Sequence, residues 1–154
     1  MDKIYLKSNI FRNSAGFGKR IEYWVVGQML KDGLDVYLPL VDDHAVDAII
    51  KRRDGSTAEV QIKARSKDAK QPALFAGVDH RPSVDYWYVF YSEHLNKIWL
   101  LTAKEFEKES RPNKTGKNIG KRTIWFDGSK NGVAYPKEKY DKYLITDFKR
   151  LGKT

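Results

Sequence analysis

The sequence has no cysteine, and it has no long hydrophobic run. Without cysteine, neither a disulfide nor a thiolate metal site contributes to the protein. No apolar stretch approaches the roughly 20 residues that a membrane-spanning helix needs. The N-terminus also lacks the apolar core of a secretory signal peptide. We therefore expect a cytoplasmic protein with no membrane partner.

Positive charge, in contrast, is abundant. Lys and Arg together number 29 against 20 Asp and Glu, which gives a formal net charge of +9. Such an excess favours a polyanionic partner such as DNA or RNA. The alternative is a basic protein without such a partner, and charge alone separates the two only weakly. The length of 154 residues predicts one domain spanning residues 1–154, long enough to bury its own core.

The pattern of apolar residues predicts a mixture of helices and strands. A first helix is predicted over residues 18–31, with Ser14 as its start signal, Gly33 as its C-cap and an inward stripe of Val25, Val26, Met29 and Leu30. Strands are predicted over residues 35–40, 84–91, 97–102 and 123–126, and helices over residues 103–109 and 137–151. Residues 1–12 suggest an extended arm, and residues 65–81 and 111–122 suggest basic loops. This order is typical of the α/β or α+β class, with a mixed sheet and helices packed against it.

A β-hairpin is predicted over residues 46–65. Two apolar-rich, β-branched runs flank Asp54-Gly55, a dipeptide typical of a tight turn. Because strand side chains alternate, polar residues share one face of the second strand and apolar residues share the other. The polar face carries Glu59, Gln61 and Lys63. The apolar face is expected in the core, and the polar face is the candidate site.

The length of the hairpin loop decides which residues meet across the strands. A two-residue loop would place Asp47 opposite Ile62, so that its carboxylate points away from Lys63. A three-residue loop over residues 54–56, or a five-residue loop, would pair Asp47 directly with Lys63. We therefore predict an odd loop if the two residues act together. An ordinary cross-strand ion pair on a partly exposed face is the alternative interpretation of this pair.

Glu22 lies on or beside the inward face of the first predicted helix, three residues before Val25. A carboxylate there is costly to bury unless it is paired, hydrogen-bonded or bound to a cation. A glutamate that extends into solvent from the helix edge is the alternative. Together with Asp47, Gln61 and Lys63, it forms a set suited to Mg²⁺-assisted phosphodiester hydrolysis, because Mg²⁺ prefers oxygen ligands. A lysine beside such a site can orient water and stabilise charge on the phosphorus.

This constellation resembles the PD-(D/E)xK nuclease superfamily, which includes restriction endonucleases, junction resolvases and some homing endonucleases. Its signature is a helix Glu, a strand Asp and an acid-x-Lys on the neighbouring strand, and the matching residues are Glu22, Asp47, Gln61 and Lys63. The resemblance covers residues 18–65 and implies a restriction-endonuclease-like mixed central β-sheet flanked by helices. Val46 replaces the proline of the signature, and Gln61 replaces its second acid, as in the Gln-x-Lys branches. Glu59 is a substitute ranked below Gln61.

The resemblance implies a Mg²⁺-dependent endonuclease that hydrolyses DNA, branched or at a specific site, with Mn²⁺ able to substitute for Mg²⁺. Glu22, Asp47 and Gln61 would then surround the metal, and Lys63 would be catalytic. A homodimer is also implied, since cutting both strands needs two sites. Basic segments suited to contacting the phosphate backbone supply the expected DNA contacts at Arg65, Lys67, Lys117, Lys121 and Arg122.

Two other classes of function stay open from the sequence. One is a nucleic-acid-binding module on the same scaffold that no longer cleaves, with Gln61 marking the lost activity. The other is a protein-interaction domain whose charge is incidental, which predicts DNA affinity that disappears at physiological salt. Residues 111–122 are likewise compatible with a merely solvated loop.

Overall fold

A computed structural model describes residues 14–41, 45–81, 83–130 and 133–153; the arm predicted over residues 1–12 lies outside these ranges. Its helices are α1 (Ser14–Lys31), α2 (Ala103–Glu109) and two 3₁₀ helices, Glu138–Tyr143 and Lys149–Gly152. Its strands are β1 (Asp35–Tyr37), β2 (Ala48–Lys51), β3 (Thr57–Arg65), β4 (Leu74–Val78), β5 (Tyr86–Ser92), β6 (Lys97–Thr102), β7 (Arg111–Pro112), β8 (Arg122–Trp125), β9 (Asp127–Lys130) and β10 (Val133–Pro136).

The central sheet has five strands in the order β1-β2-β3-β5-β6. Strands β3 and β5 are parallel, and the other neighbours are antiparallel. A second sheet has the order β4-β8-β7, and β9 and β10 form a separate hairpin. The mixed central sheet flanked by helices confirms the predicted fold class. None of the described helices combines the length and the apolar character that crossing a bilayer requires.

Each face of the central sheet has its own core. On one face, α1 packs through Val25, Val26 and Met29 against apolar residues of β2, β3 and β5, and Phe148 and Leu151 complete the cluster. On the other face, β4, β8 and α2 cover an aromatic-rich cluster that includes Tyr86, Tyr88, Phe90, Phe106 and Phe126. Every residue of β5 is buried, which confirms the prediction of a central strand over residues 84–91, although β5 itself begins at Tyr86.

Helix α1 begins at Ser14 rather than at residue 18 and ends at Lys31, as predicted. Gly33 adopts a positive φ of 87° and donates its backbone amide to the Leu30 carbonyl at 3.0 Å, so it terminates the helix as expected. The predicted inward stripe is wrong at Leu30, which is 55% exposed. Leu30 lies about 100° round the helix from Met29, outside the arc that contacts the sheet.

The strand and helix after β5 follow the sequence pattern closely. Strand β6 has the predicted bounds, and β8 lies within one residue of the predicted strand over residues 123–126. Helix α2 also has the predicted bounds. Its N-cap is Thr102, whose side chain accepts from the Glu105 amide while Glu105 accepts from the Thr102 amide. This reciprocal capping box explains why so short a helix is formed.

Three predicted segments differ from the structure. The strand over residues 35–40 is shorter, since β1 ends at Tyr37 before Pro39. The loop over residues 65–81 contains strand β4, because Phe75 and Val78, on either side of a register shift, enter the aromatic core and the segment pairs with β8. The loop over residues 111–122 begins with β7, which pairs with the other edge of β8.

The amphipathic helix predicted over residues 137–151 is wrong. Two 3₁₀ helices form instead, and the chain between them lies along the edge of β6, with the Ile145 amide donating to the Ile98 carbonyl at 3.0 Å. A β-branched pair, Ile145-Thr146, disfavours a continuous helix at this position. Four residues are expected to face inward from that helix, and of these Tyr140, Phe148 and Leu151 are nevertheless buried, whereas Leu144 is only half-buried.

Candidate active site

The hairpin loop has an odd length, as predicted, but it lies one residue earlier than residues 54–56. Lys51 pairs with Thr57, and Arg52 donates its amide to the Ser56 carbonyl at 2.9 Å, which leaves residues 53–55 as the loop. Gly55 has a positive φ of 87° and is the last loop residue. This is where a three-residue hairpin places its left-handed residue.

The earlier loop changes the partner of Asp47. Continuing the register from the Ala48–Val60 pair places Asp47 opposite Gln61. The prediction that Asp47 pairs directly with Lys63 is therefore wrong. Directly opposed residues have Cβ atoms roughly 4.5–5.5 Å apart, and diagonal neighbours roughly 7–8 Å. Asp47 therefore lies across from Gln61 and diagonal to Lys63, all three on the same face. Lys63 is partly exposed, and its side chain makes no hydrogen bond or ion pair with the described residues.

Asp47 is held where β2 begins. Its backbone amide donates to the Val60 carbonyl at 2.8 Å. Its carboxylate oxygen Oδ2 accepts from the Ile62 amide at 2.6 Å. The backbone of β3 thus fixes both the main chain and the carboxylate of Asp47.

Gln61 is 3% exposed, so its side chain is enclosed by the fold. Its Oε1 atom lies 3.2 Å from the hydroxyl of Tyr86, a buried residue of β5. The same hydroxyl donates to the Ala45 carbonyl, two residues before Asp47. Burial raises the pKa of the Tyr86 phenol, and neighbouring Tyr88 adds to the effect. Tyr86 therefore holds its proton at neutral pH and connects Gln61 to the chain that leads into Asp47.

A cleft of about 350 Å³ brings Glu22 and Asp47 together. Its walls come from α1, from the segment after β1 and from the start of β2, and its other lining residues are Lys19, Tyr23, Val26, Leu38, Pro39, Leu40 and Val46. Glu22 forms an ion pair with Lys19 at 3.0 Å, one helical turn earlier, and its side chain is 23% exposed. The prediction that Glu22 lies at the edge of the inward face is consistent with this position.

The four predicted residues do not all lie on one side of the sheet. Glu22 belongs to the helix that covers one face. The register and the alternation place Gln61 and Lys63 on the opposite face, beneath the aromatic cluster. Asp47, at the margin of the sheet, joins the two groups, since it lines the cleft with Glu22 and lies opposite Gln61.

These residues fit a hard divalent cation in the type of their donor atoms. Two carboxylates line one cleft, and a neutral amide oxygen lies across the strand from one of them. Mg²⁺ takes oxygen ligands, keeps several waters and accepts substrate phosphate, so it does not require a complete cage of protein ligands. No cluster of three or more His, Asp or Glu side chains suited to a metal occurs within the described ranges. A metal here would depend on the Gln61 oxygen and on the substrate.

Glu59, the substitute for Gln61, faces a different partner. Its carboxylate lies 3.6 Å from Arg81, and both line a depression with Ile49, Val46 and Pro39. Arg81 also lies over the ring of Tyr86, 5.9 Å from its centroid. Glu59 is absent from the lining of the cleft that holds Glu22 and Asp47. Gln61 is absent from that lining as well, so the ranking of Gln61 above Glu59 stays a prediction, which rests on the position of Gln61 opposite Asp47.

The basic residues predicted to contact DNA differ in how the fold uses them. Lys67 and Lys117 are exposed. Arg65 donates to the Gln71 carbonyl at 3.4 Å, and Lys121 lies 3.8 Å from the Asp79 carboxylate. Arg122 is partly buried and donates to the Ser110 hydroxyl at 2.7 Å, with further bonds to carbonyl oxygens at the end of α2. Arg122 thus has a role inside the fold, which leaves Lys67 and Lys117 as the most accessible of the five.

Two residues near the site were not identified from the sequence. Lys19 was detectable, because it lies three residues before Glu22 on the same helix and opposite charges at that spacing interact. Tyr86 was not, because it belongs to a run of aromatic strand residues that all look like core. Only the tertiary pairing of β3 with β5 shows that its hydroxyl reaches Gln61.

Neither a protein-family model nor a curated protein matches this chain. Among solved structures, the fold is similar to that of a bacterial homing endonuclease, I-Ssp6803I. The TM-score is 0.58 and the sequence identity is 19%, and the match covers 86% of each chain. The similarity establishes an endonuclease-like mixed α/β fold for this protein.

Proposed function

We propose that this protein is a Mg²⁺-dependent endonuclease of the PD-(D/E)xK type that hydrolyses phosphodiester bonds in DNA. The observation that supports it most is the cleft shared by Glu22 and Asp47, with Gln61 opposite Asp47 and Lys63 on the same face. The endonuclease-like fold and the net charge of +9 are consistent with it.

In this proposal three residues are metal ligands and the fourth is a catalytic lysine. Glu22, Asp47 and Gln61 would hold Mg²⁺, or Mn²⁺ in its place, through oxygen atoms. The bound ion would supply Lewis-acid polarisation of the scissile phosphate. Asp47 is oriented for this by the Ile62 amide. Lys63 would carry the positive charge that orients a water and stabilises the charge developing on the phosphate oxygens.

The test is cleavage of supercoiled, linear and branched DNA in Mg²⁺, in Mn²⁺ and in excess chelator. Asp47→Asn and Lys63→Met are the informative variants, since Asn keeps an acceptor for the Ile62 amide and Met keeps most of the lysine stem. Matched controls are Asp35→Asn and Lys51→Met, which change exposed residues of the same sheet. Wild type and controls should cleave and the two site variants should not. Cleavage that survives in both site variants would overturn the assignment of the site.

A second candidate is a DNA-binding module on this scaffold without hydrolytic activity. The observation that favours it is the burial of Gln61, whose oxygen already contacts Tyr86. Calorimetric titration with Mg²⁺ and Mn²⁺ separates the two candidates. Retained DNA affinity without cation binding at millimolar concentration would favour the module, whereas cation binding that Asp47→Asn abolishes would favour the nuclease.

We also infer that two copies act together, because a duplex has two strands and the proposed site occurs once per chain. Sedimentation velocity with and without a DNA duplex measures this. A two-to-one complex with cleavable DNA is expected. A monomer that cuts both strands in one binding event would contradict it.

A further inference from the structure

The hydroxyl of Tyr86 faces two acceptors but has one proton. It donates to the Ala45 carbonyl, and it also lies 3.2 Å from Gln61 Oε1. A phenol cannot donate to both oxygens at once, although its own oxygen can still accept. A carboxamide has an oxygen and an NH₂ group of almost the same shape, and a half-turn about its last torsion exchanges them. Turning the Gln61 amide satisfies all three groups, because its NH₂ then donates to the phenol oxygen.

We propose that Tyr86 is a positioning residue of the candidate site: its hydroxyl donates to the Ala45 carbonyl and accepts from the Gln61 NH₂ group. The carbonyl oxygen of Gln61 is then turned away from Tyr86 and is available as a ligand. This inference rests on the proposed function for its consequence in catalysis, but the hydrogen-bond arrangement itself does not depend on activity.

The backbone around Ala45 strengthens the case for a positioning role. Ala45 has a positive φ of 53°, which a residue with a Cβ atom rarely adopts. Such a conformation persists only where the surroundings hold it. The hydrogen bond from Tyr86 is one such contact, and Ala45 lies two residues before Asp47. One buried hydroxyl on β5 therefore fixes both the Gln61 side chain and the backbone that leads to Asp47.

The arrangement explains why position 61 carries an amide rather than an acid. A carboxylate only accepts hydrogen bonds. At this position a carboxylate would face the lone pairs of the phenol oxygen. Otherwise it would accept the hydrogen bond of the phenol O–H and leave the Ala45 carbonyl unpaired. With 3% exposure the site also penalises an unpaired charge. Glutamine is thus the residue that this pocket accommodates, and Gln61→Glu is expected to weaken the site although it adds the acid of the family signature.

Tyr88 offers a matched control. It is the next residue on the same face of β5 and is fully buried, and its hydroxyl donates to the Asp79 carbonyl at 2.8 Å and accepts from the Arg81 amide at 3.2 Å. Tyr88→Phe and Tyr86→Phe therefore remove the same group from similar surroundings. Only Tyr86→Phe removes a contact with Gln61.

The experiment combines side-chain amide NMR with cleavage assays on Tyr86→Phe, Gln61→Glu, the double variant and Tyr88→Phe. The Gln61 NH₂ signals are assigned by their loss in Gln61→Glu. In wild type they should be protected from exchange, and Tyr86→Phe should reduce that protection by about tenfold, the equivalent of one hydrogen bond. Tyr88→Phe should leave the signals unchanged. Unaltered Gln61 signals in Tyr86→Phe, or equal changes in both tyrosine variants, would overturn the proposal.

Cleavage provides the second readout. Gln61→Glu and Tyr86→Phe should each lower kcat in Mg²⁺ with little change in KM for DNA, and the double variant should be no worse than Gln61→Glu alone, because the phenol that opposes the carboxylate is gone. Fully additive losses, or a faster Gln61→Glu enzyme, would count against the pairing. If wild type cleaves no DNA, the proposed function fails, whereas the NMR comparison still decides the role of Tyr86.

Discussion

The carboxylate of Asp47 accepts a hydrogen bond of 2.6 Å from the backbone amide of Ile62. Strand β2 begins only at Ala48, but Asp47 extends the pairing with β3, because its backbone amide donates to the Val60 carbonyl and its side chain accepts from the Ile62 amide. The bond orients the carboxylate at the margin of the sheet, where it meets the cleft that contains Glu22. The side chain of Asp47 therefore both supports the sheet and is a candidate metal ligand.

The two roles of Asp47 can be separated by comparing two substitutions. Asp47→Ala leaves the Ile62 amide without its acceptor, so the free energy of unfolding should fall by about 1–3 kcal/mol. Asp47→Asn keeps an acceptor oxygen and should lose clearly less. Urea denaturation of both variants measures the difference. Equal stabilities for Ala and Asn would show that the Ile62 bond contributes nothing to folding.

Arg52 should be among the most sensitive positions outside the site. Its side chain is almost fully buried, donates to the Leu151 carbonyl and pairs with Asp85 at 2.9 Å. Arg52→Met removes the charge that Asp85 faces and should lower the free energy of unfolding by roughly 3 kcal/mol. The neighbouring exposed residue Arg53 provides the control, since Arg53→Met should change the free energy of unfolding by no more than about 0.5 kcal/mol. Similar values for the two variants would contradict this account of the hairpin end.

The same pair predicts a dependence of stability on acid. The hydrogen bond from Arg52 lowers the pKa of Asp85 below its ordinary value of 3.8. A group whose pKa is lower in the folded protein contributes stability above its unfolded pKa, and that contribution is lost as the pH falls towards the folded value. The thermal stability of wild type should therefore fall more steeply below about pH 4 than that of Asp85→Asn. Parallel pH curves would contradict the pairing.

The hairpin shows how far local sequence patterns determine this fold. Its existence follows from Asp54-Gly55 and from alternating strand residues, whereas its odd loop was predicted from a pairing of Asp47 with Lys63 that the register does not contain. The loop position also had a signal, because a left-handed residue closes a three-residue loop, and Gly55 therefore indicates residues 53–55. The bounds of helix α2 and the buried run of β5 are likewise local, and both are predicted from sequence, whereas the capping box that Glu105 completes at Thr102 is seen only in the structure.

What the sequence does not determine depends on contacts between distant segments. The C-terminal segment has helical periodicity, yet Ile145 pairs with the edge of β6. Strand β4 forms because β8 is beside it. In the candidate site, the order of residues suggests Glu22, Asp47, Gln61 and Lys63 as candidates. The opposition of Asp47 to Gln61 and the contact with Tyr86 follow only from the register and from β5.

Binding of DNA should depend on the exposed lysines more than on Arg122. Lys67→Ala and Lys117→Ala should each weaken affinity similarly for all sequences and should reduce the slope of log affinity against log salt by about 1. Arg122→Ala should instead lower stability, because it removes the bonds to Ser110 and Glu107. Fluorescence anisotropy over a salt series measures the slope, with exposed Lys149→Ala as the control. Unchanged slopes for Lys67 and Lys117 would place the DNA elsewhere on the surface.

The location of a bound cation tests the central claim most directly. Anomalous diffraction from a crystal soaked with Mn²⁺ identifies the ion without reference to activity. We expect one Mn²⁺ in the cleft, ligated by Glu22, Asp47 and the carbonyl oxygen of Gln61, and its loss in Asp47→Asn. A crystal that binds Mn²⁺ elsewhere, or that shows no Mn²⁺ in this cleft when DNA phosphate is present, would contradict the assignment of these residues as a metal-dependent nuclease site.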